Sequence, residues 1–229
     1  MINYQYVDNN IISVSDNSVV YNGYTWSKPQ IYQLDAIEFF YNLIKDGYCV
    51  LDVGAQSGVF SLMAKYLPTV NFHSFEPDPI NFQCLLENLE INEIENVKPY
   101  DIALSSEVGY AEFNICTTHR GLNTLGKNVL NFKNYETEKI SIDTSTIDEV
   151  FANQKIDLIK IDTEGCECDI LLGGFNTIKK YKPKIFLEYY DRNLNQFNKT
   201  IYDLDRLIEQ LDYNITWRKN DNILIESRI

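Results

Sequence analysis

The stretch "VLDVGAQSGVFSL", residues 50–62, decides the fold. Val50, Leu51 and Val53 form an apolar run with Asp52 set into it, which reads as the end of a strand buried on both faces. Gly54 and Gly58 break that run. Beyond them Val59, Leu62, Met63, Tyr66 and Leu67 recur at helical spacing. Strand, glycine turn and helix in that order open an α/β unit. Taken alone the turn is a weak sign of a ligand site, because glycines after a strand also serve simply to turn the chain.

The alternation continues outward. "NFHSF" (71–75) reads as a second strand. "DPINFQCLLENLEIN" (78–92) opens with Asp78 as a cap and Pro79 at the first helical position, and puts Phe82, Leu85, Leu86 and Leu89 on one face. "VKPYDIA" (97–103) is a third strand, irregular at Pro99. "IDLIKID" (156–162) and "KIFLEYY" (184–190) are the fourth and fifth, with one helix over "CECDILLGGFNTIKKY" (166–181) between them. This pattern predicts a parallel sheet covered on both faces. A last helix, "IYDLDRLIEQL" (201–211), precedes two strands around Asn220-Asp221-Asn222, an antiparallel edge for that sheet.

Two regions stand apart. Residues 1–26 read as a β-hairpin or arm with turns at Asp8-Asn9-Asn10 and Asn22-Gly23. A helix follows from Pro29 to Lys45, with Ile31, Leu34, Ile37, Phe40, Leu43 and Ile44 on its apolar face and Gly47 as its stop. Between residues 109 and 143, "YAEFNIC" and "EKISID" flank the polar loop "TTHRGLNTLGKNVLNFKN" (117–134), an inserted strand pair carrying an excursion. The organisation read here is an N-terminal β-arm and helix over 1–45, then one α/β domain over 46–229 with that insertion.

A net charge of −13 disfavours nucleic acid and anionic membrane surfaces as partners. No apolar run is long enough to span a membrane, and the start lacks the pattern of a secretory signal. Cys49, Cys84, Cys116, Cys166 and Cys168 are an odd, scattered set that reads as reduced thiols, which predicts a cytoplasmic protein. No Cys/His pair stands at zinc spacing from Cys166 and Cys168.

The strand ends carry the chemistry. Ligands of open α/β sheets bind beyond the carboxyl ends of the strands. Asp52, Glu76, Asp101, Asp162 and Glu188 all fall at or near such ends. An acidic residue at the place of Glu76 takes ribose hydroxyls, and Asp101 is placed to accept from an adenine amino group. An acidic rim repels phosphates, and the turn lacks both G-x-G-x-x-G and G-K-[ST], which disfavours NAD and ATP. S-adenosylmethionine has no phosphate, and its ribose, adenine, amino group and sulfonium all suit carboxylates. Asp52 then faces the amino-acid end of that cofactor or braces the glycine turn.

"VLDVGAQSGVFSL", "FEPDPINFQCLLENLEIN", "DIALSSEVG", "DLIKIDTEGCECDILLGG" and "KPKIFLEYY" resemble, in order and spacing, the FkbM-type methyltransferase family, from about Cys49 to about Asp191. The resemblance implies a class I methyltransferase fold: a Rossmann-like three-layer sandwich on a mostly parallel seven-stranded sheet with an antiparallel C-terminal hairpin. It also implies S-adenosylmethionine, with Gly54, Glu76 and Asp101 at matching positions, and methylation of hydroxyl oxygens on sugars or similar small acceptors. The full set of candidate cofactor contacts is Asp52, Gly54, Ala55, Ser57 and Gly58 in the turn, Glu76, Pro77, Asp101, Ile102 and Asp162.

A hydroxyl acceptor needs help with its proton. Asp162, Glu164 and Glu188 are candidate bases, and His119 in the excursion loop is a fourth, with Arg120 beside it a candidate anchor for an acidic acceptor. For Glu164 an equal alternative is contact with the N-terminus of the helix it precedes. Three carboxylates also suit Mg²⁺, though no ligand set is specified by the spacing. Tyr189 and Tyr190 read as packing, with sugar stacking the lesser role. The rival functions are methylation of nitrogen, disfavoured because "IDTEG" stands where an N/D-P-P-Y/F motif would, and a non-catalytic cofactor-binding subunit. The N-terminal arm and first helix are candidates for a homodimer interface.

Overall fold

The structure is a computed structural model that describes residues 2–5, 10–21, 34–126 and 136–228. The expected turn residues Asp8, Asn9, Asn22 and Gly23, the helix start at Pro29 and Ile31, and loop residues 127–134 lie outside the described residues. Strands β1 (Ile2–Gln5) and β2 (Ile11–Val14) pair antiparallel, as the hairpin reading expects. Helix α1 (Asp16–Tyr21), which periodicity did not announce, follows, and then α2 (Leu34–Tyr41). Gly47, at φ 77°, lies in the turn that leads from this helical region to the sheet.

The sheet begins with β3 (Cys49–Val53), β4 (Asn71–Phe75), α3 (Pro79–Ile91) and β5 (Val97–Tyr100). The insertion supplies β6 (Ala103–Leu104), β7 (Gly109–Cys116) and β8 (Thr137–Ser145). Then come α4 (Ile147–Phe151), β9 (Leu158–Ile161), α5 (Glu167–Gly173), α6 (Phe175–Tyr181) and β10 (Lys184–Glu188). The chain closes with α7 (Asp191–Leu194), α8 (Ile201–Gln210), β11 (Tyr213–Lys219) and β12 (Asn222–Ser227). Seven strands form one sheet in the order β11-β12-β10-β9-β3-β4-β5. Its strands run parallel except β12, antiparallel to both neighbours. This is the class I methyltransferase architecture, and the strand order reverses between β3 and β9.

Side-chain alternation builds a core on each face. Leu51, Val53, Ile159, Ile161, Ile185 and Leu187 point into one cluster with residues of α5 and α8. Val50, Leu158 and Phe186 point into the other, with Ile37 and Phe40 of α2 and Ile12 and Val14 of β2. Burial at about 25 cal/mol per Å² of apolar surface drives both. Among the described residues no helix is long and apolar enough to cross a membrane.

The structure alters three local expectations. The segment after the glycine turn is a 3₁₀ helix, Ser61–Tyr66, in place of an α-helix. The predicted helix over 166–181 is two, α5 and α6, meeting at Gly173 and Gly174; a Cβ on Gly173 would stand 2.0 Å from the Ser105 carbonyl oxygen. "VKPYDIA" splits after Tyr100: β5 is an edge strand, where Pro99 with no N–H is tolerated, and Ala103–Leu104 joins β8 in a separate three-stranded sheet. The inserted pair β7–β8 forms as expected and gains β6 as a third strand.

Candidate active site

Parallel register builds the site. Val53 aligns with Phe75, which aligns with Tyr100; Val53 also aligns with Ile161, which aligns with Leu187. The next residue on each strand is therefore Asp101, Glu76, Gly54, Asp162 or Glu188. Five strand ends share one level, with the glycine in the middle and a carboxylate at each of the others.

Asp52 lies deeper. It is fully buried, accepts from Ser61 Oγ at 2.6 Å and has Lys160 Nζ 3.2 Å from its Oδ1. The ammonium also donates to the Gly54 carbonyl at 2.8 Å and stands 4.0 Å from Asp162 Oδ2. Burial pushes the Lys160 pKa down, and the charges of Asp52, Asp162 and Glu76 more than offset this, leaving it raised. Of the two roles expected for Asp52, these contacts are those of the brace.

Gly54, at φ 76°, is demanded by the chain itself: a Cβ there would lie 2.0 Å from the Asp162 carbonyl oxygen. Four of the turn's amides are also bonded within the protein. Gly54 and Ala55 donate to the Phe75 carbonyl, Gln56 to Glu76 Oε2 and Gly58 to the Ala55 carbonyl. Ala55 and Ser57 are buried, and the position of Gly58 is packed against Leu85.

Glu76 is 5% exposed. Its Oε2 accepts from the Gln56 N–H at 2.8 Å and its Oε1 from the Asp78 N–H at 2.9 Å. Burial pushes its pKa up to about 7 against those bonds. Pro77 and Ile102 are half-buried beside it and beyond β5, and Asp101 is exposed.

Residues 120–126 of the excursion segment cross this rim as a strap. Arg120 is buried, and its Nη1 donates to Asp78 Oδ2 at 2.6 Å and Oδ1 at 2.8 Å. Asn123 Nδ2 donates to the same carboxylate at 2.7 Å. Asp78 thus caps α3, through the Ile80 N–H, and anchors the strap. Farther along, Thr124 Oγ1 donates to the Glu164 carbonyl, and Gly126 packs on Gln196 and Phe197. Arg120 is therefore a structural anchor in place of the acceptor anchor expected of it. The His119 ring lies beside Gly121, which also meets the Gln56 side chain, on the Glu76 side of the rim.

The loop after β9 gathers the remaining carboxylates. Glu164 and Gly165 adopt positive φ, 55° and 114°, and a Cβ on Gly165 would stand 2.2 Å from the Asn193 carbonyl oxygen. Glu167 Oε1 accepts from the Thr163 and Gly165 N–H groups and from Thr163 Oγ1. The carboxylate that serves the start of α5 is thus Glu167, not Glu164. Glu164 instead turns to Asn193, whose Nδ2 donates to Glu164 Oε2 at 2.7 Å and to Glu188 Oε2 at 2.8 Å. Burial, then the charges of Asp162 and neighbouring glutamates, pushes both Glu164 and Glu188 up. Two such carboxylates on one amide oppose each other's ionisation. Among the described residues no group of three or more His, Cys, Asp or Glu side chains is arranged to hold a metal ion.

The chain matches the Methyltransferase FkbM domain over residues 52–215. It belongs to this family. It is 26% identical over 153 residues to methyltransferase sdnD of Sordaria araneosa, 54% of this chain and 59% of that protein. It is 26% identical over 159 residues to 2-O-methyltransferase NoeI of Sinorhizobium fredii, 63% of this chain and 64% of that protein. The crystal structure of an FkbM methyltransferase from Methylobacillus flagellatus superposes with a TM-score of 0.56 at 22% identity, over 81% of this chain and 45% of that one. The matched stretches thus span less than two thirds of these relatives' own lengths.

In this FkbM domain the structure brings Asp162, Glu164 and Glu188 together and places His119 beside Gly121. Sequence reasoning missed Lys160, Glu167 and Asn193. Lys160 did carry a signal: it is the one charge inside the apolar run of "DLIKI". Glu167 follows its glycine loop at capping distance. Asn193 sits in the polar run "DRNLNQFN" and nothing local marks it.

Proposed function

We propose that this chain transfers a methyl group from S-adenosylmethionine to a hydroxyl oxygen of a small polyhydroxylated acceptor, a sugar or glycan. The observation that carries the reading is the row of carboxylates level with Gly54. Of the cations near it among the described residues, Lys160 and Arg120 are bound to Asp52 and Asp78. Such a rim disfavours phosphates and suits a nucleoside without them. Glu76 keeps acceptor capacity for ribose hydroxyls beyond the two backbone N–H groups and the Asn81 amide it holds. On this reading Asp101 takes the adenine amino group, and the partly exposed Asp162 the amino group of the amino-acid end.

The cofactor supplies an activated methyl group. The chain's part is to hold the acceptor in line and take its proton. In the pair bridged by Asn193, one carboxylate in its ionised form takes the hydroxyl proton. A base with a raised pKa is matched to this task near neutral pH. Oxygen as the target is supported by the name of the Sinorhizobium relative, a 2-O-methyltransferase.

Calorimetric titration tests the reading, using S-adenosylmethionine, S-adenosylhomocysteine and NAD with wild type and Glu76→Ala. Both sulfur compounds should bind and NAD should not, with binding lost in the variant. Wild type that binds neither sulfur compound overturns the assignment. Binding followed by transfer only to amines in an acceptor panel overturns the oxygen specificity.

A further inference from the structure

Residues 10–21 lie outside the stretch matched by the FkbM family, residues 52–215, yet one side chain of α3 ties them to the glycine turn. Asn88 on α3 has no solvent exposure. Its Oδ1 accepts from the Ser15 N–H at 2.8 Å. Its Nδ2 donates to Ser18 Oγ at 2.9 Å and to the Ser57 carbonyl at 2.8 Å. One amide therefore joins the end of β2, the first turn of α1 and the carbonyl in the middle of the 54–58 turn.

One helical turn later Asn92 seats the same segment. Its Oδ1 accepts from the Ser13 N–H at 3.0 Å and its Nδ2 donates to the Ser13 carbonyl at 2.7 Å. It pairs with Ser13 as a neighbouring strand would. Beneath these bonds the buried Ile12 and Val14 share an apolar cluster with Ala55, Val59 and Phe60 of the turn region. The turn is irregular backbone, so its shape depends on bonds from outside it. Phe75 and Glu76 hold its amides, and Asn88 holds its Ser57 carbonyl. A buried amide with all its partners fixes geometry well, and losing one partner is expensive.

We infer that the N-terminal segment is a working part of the cofactor site, with Asn88 a positioning residue that uses Ser15 and Ser18 to fix the Ser57 carbonyl and with it the 54–58 turn. That the turn serves S-adenosylmethionine rests on the function proposed above; that the segment holds the turn does not.

The test measures amide hydrogen exchange in the free protein together with S-adenosylhomocysteine affinity. The variants are Ser18→Ala and Asn88→Ala, with Ile225→Val on β12 as a stability control. In both test variants the amides of Ala55, Gln56 and Gly58 should exchange about tenfold faster relative to that of Phe72 on β4, and affinity should fall about tenfold, the scale of one lost buried hydrogen bond. The control should lower the unfolding midpoint and change neither ratio. Turn amides that exchange as in wild type overturn the inference, and so does a loosened turn with unchanged affinity. Should Asn88→Ala not fold, Ser18→Ala, which removes a single hydroxyl, decides. Should wild type bind no S-adenosylhomocysteine, the cofactor assignment fails and the exchange ratios alone judge whether the segment holds the turn.

Discussion

Lys160 Nζ lies 3.2 Å from Asp52 Oδ1 between adjacent central strands, with side chains 3% and 0% exposed. Register makes the pair: β3 and β9 align Asp52 with Lys160. Each charge makes the other's burial tolerable, and together they hold the Gly54 carbonyl in place. Lys160→Met should destabilise the fold by about 3–5 kcal/mol, because it strands a buried carboxylate. Asp52→Asn/Lys160→Met should recover part of that loss. Urea denaturation at neutral pH reads both, and strictly additive effects would refute the pairing.

Glu76 sets a pH dependence of stability. Burial raises its folded pKa from an ordinary 4.5 to about 7. Between those values the folded state binds more protons than the unfolded chain, so stability falls as pH rises through this window. The contribution is on the order of 3 kcal/mol and is fully lost above the folded pKa. Glu164, Glu167 and Glu188 are raised too and act in the same direction. Glu76→Gln should therefore flatten, without abolishing, the decline in unfolding free energy from pH 4.5 to 8. An unchanged slope in that variant would count against a buried, protonatable Glu76.

The Asn193 bridge predicts a shift in the pH profile of turnover. Its hydrogen bonds hold down the pKa values of Glu164 and Glu188, against burial and the charges of Asp162 and Glu167. Arg192 also lowers Glu164, and Lys160 faces Asp162. Asn193→Leu should move the rising limb of activity to higher pH, with cofactor affinity retained. Glu188→Gln or Glu164→Gln should lower turnover about 10²–10⁴-fold if that residue is the base. Full turnover with normal cofactor binding removes the substituted residue from the role.

Two glycines with nearly the same φ separate backbone strain from close approach. Gly47 has φ 77° and open space at its Cβ position, while Gly54 has φ 76° and a carbonyl oxygen 2.0 Å away. Gly47→Ala should cost about 1–2 kcal/mol, the penalty of left-handed backbone. Gly54→Ala adds a clash with the β9 loop and should cost several times more, with loss of cofactor binding. Thermal unfolding of both variants checks this, and equal losses would show that the loops do not approach as closely as described.

The sequence by itself determined the sheet. Continuous apolar strands and the Asp78 cap with Pro79 are local signals, and β3, β4, β9, β10 and α3 became the elements they announced. It also determined which strand ends carry acid, because strand ends are local too. Local segments went wrong where a distant backbone intervened: the helix over 166–181 breaks where Gly173 meets Ser105, and "VKPYDIA" divides between two sheets. Only the tertiary structure decided what each carboxylate does. Asp52 and Glu188 are both acids near strand ends, yet one meets a lysine from the neighbouring strand and the other an asparagine five residues on. Side-chain charge is written in the residue, but its partner, burial and proton affinity come from what the fold sets beside it. The same holds for Asn88, whose three partners lie 31, 70 and 73 positions away.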